Sequence, residues 1–382
     1  MCFIISGVDA REFWWLLLGL LGLLFGTLSL VLYWLAQMGR PLRLYRHAHN
    51  PVLRPVPEHW WESEAVFNPG VVYWGGKVHL FYRAIGKDGV SRIGYAVSED
   101  GIHFDRGSQP VYDPSADSLA RAATARATKA PKLSYETLTY DTGSYGSGGG
   151  WGGSEDPRAV IIDERLYLSF TSFEGWNNER IALASLPVEF LAQQQFVWDS
   201  GAYLSAPNEV QKNWVIFPEK LNGKYAVLHR LAPTVEIAYV DSLENPGAFI
   251  KSGPPGRGPK GRWDEKMRGA GAPPIKTEAG WLVLYHATYE GKYHIGAMLL
   301  DLKNPTKILY RSAQHILAPD EWYENDWKAG VVYASGACIV GHDLFVYYGG
   351  GDKYVAAAKI NLRDFLRKLT THQHVELEQV EV

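Results

Sequence analysis

The chain has 382 residues, 46% of them hydrophobic, enough for one large core or two ordinary ones; its formal charge of −3 supplies no concentrated basic face of the kind nucleic acid requires. Its only cysteines, Cys2 and Cys338, lie far apart with no Cys or His cluster at ligand spacing, which argues against a disulfide framework and a structural zinc site. Aromatic residues reach 13%, and the 39 Gly and 21 Pro fall in short clusters between runs rich in Val, Ile, Tyr and Phe, the composition of a mostly β protein.

Residues 1–12 read as an N-terminal tail. From Phe13 to Gln37 roughly 25 residues pass without a charge, more than the ~20 that span a bilayer, so a transmembrane helix is predicted over 13–37. Trp14 and Trp15 at one end and Tyr33 and Trp34 at the other suit the two interfaces, and the run exceeds the apolar region of a secretory signal. Arg40, Arg43 and Arg46 follow it, against Arg11 beside Asp9 and Glu12 before it. The positive-inside rule then predicts a single-pass membrane protein with its large domain cytoplasmic. Residues 38–57 read as a basic, Pro-containing linker.

Between residues 58 and 370 one unit recurs five times: a turn, an alternating aromatic strand, a short polar break, and a second strand rich in Ala, Ile and Gly. The instances are KVHLFYRA with SRIGYAVSEDG, RLYLSFTSF with RIALASL, KYAVLHR with EIAYVDS, GWLVLYHAT with YHIGAMLLDL, and LFVYYGGGD with YVAAAKINL. They begin near Lys77, Arg165, Lys224, Gly280 and Leu344. Radial repetition protects sheet edges and turns one end of every unit toward a common funnel, so the predicted fold is all-β, a five-bladed β-propeller after one transmembrane helix. An Ala/Arg/Thr-rich and Gly/Ser-rich insertion over 115–150 accounts for the long first gap. Ser252 to Arg262 reads as a second loop, and 371–382 as a C-terminal tail.

The sharpest local signal is Glu155-Asp156-Pro157-Arg158, ahead of the apolar run AVIID. Pro157 biases Asp156 toward an extended or turn conformation and presents an acidic pair at the start of a strand. Polar residues recur at comparable positions of the other units: Asn68, Arg83, His229, Arg230, His286 and Asp352. Around a funnel these supply carboxylates, amides, imidazoles and guanidinium groups, with Trp176, Tyr239, Tyr289 and Tyr333 available as aromatic platforms, an inventory suited to a sugar. Each taken singly also fits a structural hydrogen bonder between blades.

FNPG, FYRA with SRIGYAVSEDG, EDPR, NWVIFPEKLNGKYAVLHR, GAGAPPIKTEAGWLVLYHA and YYGGGD occur in order from about Val52 to Leu362, and together they resemble glycoside hydrolase family 130, the β-mannoside phosphorylases and β-mannosidases. The resemblance implies a five-bladed propeller with Asp156 as catalytic acid. It also implies Asn68, Arg83 and Asp352 around the sugar in the cleaved subsite, and His286 near phosphate. The family's phosphorylases hold phosphate with an Arg-Asn pair before FPEK and a Lys before the Gly-Ala-Gly stretch. Here Lys212-Asn213 stands at the first place, and Lys266 is displaced by one residue from the second, with Met267 and Arg268 directly before Gly269.

An inverting glycosidase needs an acid and a carboxylate base, whereas a phosphorylase needs cations for an already anionic nucleophile. The expectation is inverting phosphorolysis of β-mannosides. Asp156 is the proton donor, its pKa raised by burial or by Glu155 and opposed by Arg158. Asn68, Arg83, Asp352, Arg158 and Tyr289 are expected on the sugar, and Lys212, Asn213, Lys266 and His286, with Arg268 beside them, on phosphate. Inorganic phosphate is a co-substrate, with no cofactor and no metal. Two alternatives stand: a β-mannosidase whose base is Glu219, Glu265 or Glu290, and a membrane-anchored sugar-binding propeller without catalysis.

Overall fold

Long apolar runs and alternating aromatic runs sort this chain into one helix and many strands. A computed structural model of the protein describes residues 10–38, 42–114, 150, 152–173, 179–199, 201–253 and 256–371; Arg40, Trp176 and nearly all of the 115–150 insertion lie outside them. The helix Ala10–Met38 contains a span, Trp14–Leu32, of 19 residues with mean hydropathy 2.3, long and apolar enough to cross a membrane by length and composition. It is one of two separate units of the chain, the other beginning at Leu42.

The second unit is mostly β. Its strands form four sheets, the largest of which consists of two antiparallel groups joined by a short parallel pairing of Val90 with Gly152 and Ser91 with Gly153. Counted by antiparallel group there are therefore five. Group one is built on Ala65–Trp74, Lys77–Ile85 and Val90–Ser98, and group two on Gly152–Ile162, Arg165–Phe173 and Glu179–Pro187. Group three has Val215–Ile216, Tyr225–Arg230 and Glu236–Val240. Group four has Lys266–Ala270, Gly280–Tyr289, Lys292–Leu300 and Ile308–Arg311, and group five Val332–Val340, Asp343–Gly350 and Tyr354–Asn361. The five predicted strand pairs are the second and third strands of these groups. In each case a further strand precedes the pair.

Hydrophobic clusters lie between successive groups and join the fifth to the first. Phe81, Tyr95, Leu168 and Ala184 pack together between groups one and two, and Val160, Leu183, Ile216 and Val227 between two and three. Val215, Leu228, Val283 and Met298 serve three and four, Leu284, Ala297, Val346 and Ala356 serve four and five, and Leu80, Val71, Tyr347 and Ala357 bring five against one. Each Val, Leu, Ile, Phe or Met among them contributes about 1.5–3 kcal/mol when fully buried.

The segment read as a linker is part of this fold from Leu42 onward. Leu42, Leu44 and Leu53 are buried, Tyr45 and Arg46 pair with Lys359 and Ala358 as an extra strand of group five, and Arg46 Nε lies 2.7 Å from the buried Glu324. The alternation of leucines with basic residues there is a strand edge rather than a tether.

A polar staple recurs in three groups. Glu62, Asp264 and Glu324 precede groups one, four and five, and each accepts the hydroxyl of a tyrosine on its middle strand: Tyr82 at 2.9 Å, Tyr285 at 2.6 Å and Tyr348 at 2.8 Å. An arginine from the outermost strand completes each: Arg106, Arg311 and Arg46. Gly94 and Gly296, on the neighbouring strands, leave room for Trp61 to stack on Tyr82 and Trp263 on Tyr285; a Cβ at either would collide with both rings. Replacing Asp264 with Ala strands the buried Arg311 charge, so the full chain should lose about 3–5 kcal/mol of unfolding free energy. A double variant that also replaces Arg311 with Met should recover part of this; an unchanged denaturation midpoint for the single variant would refute the staple.

Candidate active site

The first strand of groups one, two, four and five, and the second strand of group three, are interrupted by a shift in pairing. Pairing shifts between Phe67 and Gly70, Glu155 and Arg158, Leu228 and Arg230, Met267 and Gly269, and Ala334 and Gly336, each a β-bulge that re-aims a side chain. Asn68 and Asp156 occupy two of them, both before a proline and both left-handed, at φ 48° and 50°. Of the extended or turn conformation expected for Asp156, the bulge imposes a left-handed turn, at a cost of order 1–3 kcal/mol per strained residue.

The strain points the two side chains at each other. Asn68 Nδ2 donates to Asp156 Oδ1 at 2.8 Å, and Arg83 Nη1 approaches the same oxygen at 3.4 Å while its Nη2 reaches Glu155 Oε1 at 2.9 Å and its Nε Ser91 Oγ at 3.0 Å. Asn68 also lies against Gly349 of YYGGGD, where any Cβ would strike its amide oxygen. That brings in Asp352, left-handed at φ 53° and bonded to Lys328 Nζ at 2.8 Å. Burial by itself would raise the Asp156 carboxyl, but Arg83, Arg158, the Asn68 amide and Lys212 outweigh it and hold the group below the usual carboxylate range. The raised pKa expected from sequence is therefore not that of the free protein.

Arg158 is buried and turned into the protein. Its Nε donates to Gly271 O at 2.9 Å, its Nη1 to Asp156 O, and its Nη2 to Asn213 Oδ1 at 3.3 Å and Tyr333 OH at 3.2 Å. Expected on the sugar, it instead brackets four groups, and Asn213 is held likewise, its oxygen taken by Arg158 and Tyr333 and its Nδ2 donating to Arg268 O at 2.9 Å. Tyr333, foreseen as a platform, stacks on His286 with centroids 3.8 Å apart. His286 Nε2 donates to Ala334 O. Burial first, then the nearby Arg158 and Arg268, push His286 down to about 3, so it is a neutral imidazole. Lys212 reaches Glu155 Oε2 at 3.2 Å and Glu179 Oε1 at 3.8 Å, with its side chain about a quarter exposed.

Asp156, Asn68, Arg83, Arg158, Lys212, Asn213 and His286 thus form one connected cluster, and Asp352 holds Lys328, an ammonium that the Arg83 charge reaches. Other expected residues fall elsewhere. Tyr289 is exposed and lines a separate cavity of about 300 Å³ with Glu290, His294 and His315. Lys266 is exposed and shares no described ion pair with the cluster. His229 bonds Ser252 Oγ at 3.0 Å, Arg230 pairs with Glu236, and Tyr239 is exposed. The candidate bases fare the same: Glu219 holds Lys276, Glu265 pairs with Arg257, and none of the three is bonded to the Asp156 cluster among the described residues. Lys328 and Glu179 were not singled out from sequence, because nothing local distinguishes them from surface charges.

The family model described as β-1,4-mannooligosaccharide phosphorylase, Glyco_hydro_130, matches residues 146–371. A 1,2-β-oligomannan phosphorylase of Thermoanaerobacter sp. (strain X514) is 34% identical over 335 residues, covering 85% of this chain and 99% of the relative. A β-1,2-mannobiose phosphorylase of the same organism is 35% identical, covering 83% and 97%. Among solved structures, the β-1,2-mannobiose phosphorylase from Listeria innocua in complex with β-1,2-mannobiose superposes with a TM-score of 0.63 at 26% identity, covering 85% of this chain and 99% of that one. Motif order, a mostly β fold and these likenesses agree: the chain belongs to glycoside hydrolase family 130, a family of mannoside phosphorylases.

Proposed function

We propose that the protein is an inverting β-mannoside phosphorylase acting on β-1,2-linked mannosides, with its five strand groups arranged as the blades of a propeller around Asp156. The observation that carries the reading is the charge pattern. Glu155, the carboxylate next to Asp156, has one oxygen on Arg83 and the other on Lys212, so it is not free to activate water, and Glu179 faces Lys212 rather than Asp156. Lys212, whose charge reaches Asp156, and the exposed Arg268, whose charge reaches neutral His286, instead offer cations, which suits an anionic nucleophile. The linkage is that of the two Thermoanaerobacter relatives, the 1,2-β-oligomannan and β-1,2-mannobiose phosphorylases.

In this mechanism phosphate attacks the anomeric carbon from the face opposite the leaving oxygen. The new carbon–oxygen bond forms as the glycosidic bond breaks, and the leaving oxygen takes the proton of Asp156, giving mannose 1-phosphate and a shortened mannoside. Asp156 must be protonated to act. Phosphate supplies the means, because its charge offsets the cations that keep the carboxyl ionised in the free protein. Asn68, Arg83 and Asp352 would hold the sugar, with Arg158 and Asn213 fixing the frame. The apolar helix we read as a single-pass anchor with the β unit cytoplasmic, although Arg46, one of the three arginines behind that orientation, is committed to Glu324.

Full-length protein given β-1,2-mannobiose should release mannose 1-phosphate only when phosphate is present; free mannose formed regardless of phosphate would sink the reading. Asp156→Asn should lower kcat by about 10²–10⁴-fold while leaving mannoside binding within a few-fold, which separates an enzyme from a sugar-binding module. Lys212→Ala should raise the KM for phosphate by about 10–100-fold, the loss expected for one charge-assisted hydrogen bond, with little change in the KM for mannoside.

A further inference from the structure

Glu179 begins the third strand of group two, 2% exposed, with its backbone fixed by Gln211 N at 2.8 Å. Its side chain is served only in part: Oε1 faces Lys212 Nζ at 3.8 Å, and Oε2 is buried with no hydrogen-bond partner among the described residues. A buried carboxylate oxygen in that state is costly, and the cost disappears if the group carries a proton and its neighbour no longer needs its charge. Lys212 is shared with Glu155, whose other oxygen binds Arg83. Three acids, Glu155, Asp156 and Glu179, face three bases, Arg83, Arg158 and Lys212. The set is balanced without a ligand, and a phosphate dianion arriving at Lys212 unbalances it.

The geometry points to Glu179 as a positioning residue of the phosphate subsite: it steadies Lys212 in the empty site, then releases the ammonium to phosphate and takes up one proton from solvent. This rests on the phosphorolysis proposed above. The titratable groups facing Glu179 are Lys212 and Glu155, with Arg83 behind Glu155. Burial, and then Glu155, already lift its carboxyl above the usual range, against the pull of Lys212. Because binding adds a proton, anion affinity is greatest at low pH and falls as pH rises through the free-state pKa of Glu179, levelling once the bound-state value is passed.

Sulfate is the probe, since its charge is constant over the range. It is titrated calorimetrically into full-length Asp156→Asn, which removes proton uptake by the catalytic acid, and into Asp156→Asn/Glu179→Gln, in buffers of different ionisation enthalpy. The single variant should take up about one proton per sulfate and lose at least about fivefold in affinity from about pH 5.5 to about pH 8. The double variant should take up none, vary less than about twofold, and bind as tightly as the single variant or tighter at the upper pH. No proton uptake in the single variant, an unchanged slope in the double variant, or weaker sulfate binding by the double variant at every pH would each overturn the inference. Mannose 1-phosphate release by the wild type is scored separately. Its absence, with sulfate behaving as expected, would remove the phosphorylase reading and keep the proton-linked anion site.

Discussion

A single buried guanidinium organises the centre of this protein. Arg158 leaves the bulge of group two and donates to Gly271 just after the first strand of group four, to Asn213 before group three and to Tyr333 in group five, as well as to the carbonyl of Asp156 beside it. A charge so far from solvent is tolerable only with its donors satisfied, so its partners must keep their places. Every strand group that it touches is thereby registered against the same atom. The strained backbones of Asn68 and Asp156 persist because this framework over-determines them.

The same charge sets the chemistry. Asp156 sits where Arg83, Arg158 and Lys212 converge, and their combined field outweighs burial, the reverse of the usual expectation for a shielded carboxyl. In the mechanism proposed above, Asp156 becomes an acid only once another negative charge has taken a share of these cations.

Much of this was legible in the sequence, and what was not has physical reasons. Hydrophobic alternation located the strand pairs at Lys77, Arg165, Lys224, Gly280 and Leu344 nearly to the residue, and motif order identified the family. Of the strands that precede the pairs, the one running on from Asp156 was anticipated through its apolar run, whereas Asn68-Pro69-Gly70 is a turn signal by composition and hid the strand around it, because a bulge needs such residues. Asn68, Arg83, Asp156, Lys212 and His286, singled out from sequence, are brought together in one cluster. Arg158 and Asn213 were also found but given a role on the ligand, whereas their hydrogen bonds run to distant carbonyls and hydroxyls that no local pattern announces. Tyr289 and Lys266 lie on the right strands but too far along them. The acid–tyrosine–arginine staples were invisible for the same reason; Glu324 and Arg46 are 278 positions apart.

That last pairing bears on how the chain comes into being. Tyr45 and Arg46 are among the first residues of the β unit to be made, yet their strand partners, Lys359 and Ala358, are among the last. Group five gains its outermost strand only after Ala358 and Lys359 have been made, so the early segment must wait, unpaired, through the assembly of the other four groups. Such a long-range closure is slow by its loop entropy, and the waiting edge is a template for wrong pairing. The basic side chains of Arg43, Arg46 and His47 along that short segment discourage such mispairing in the meantime.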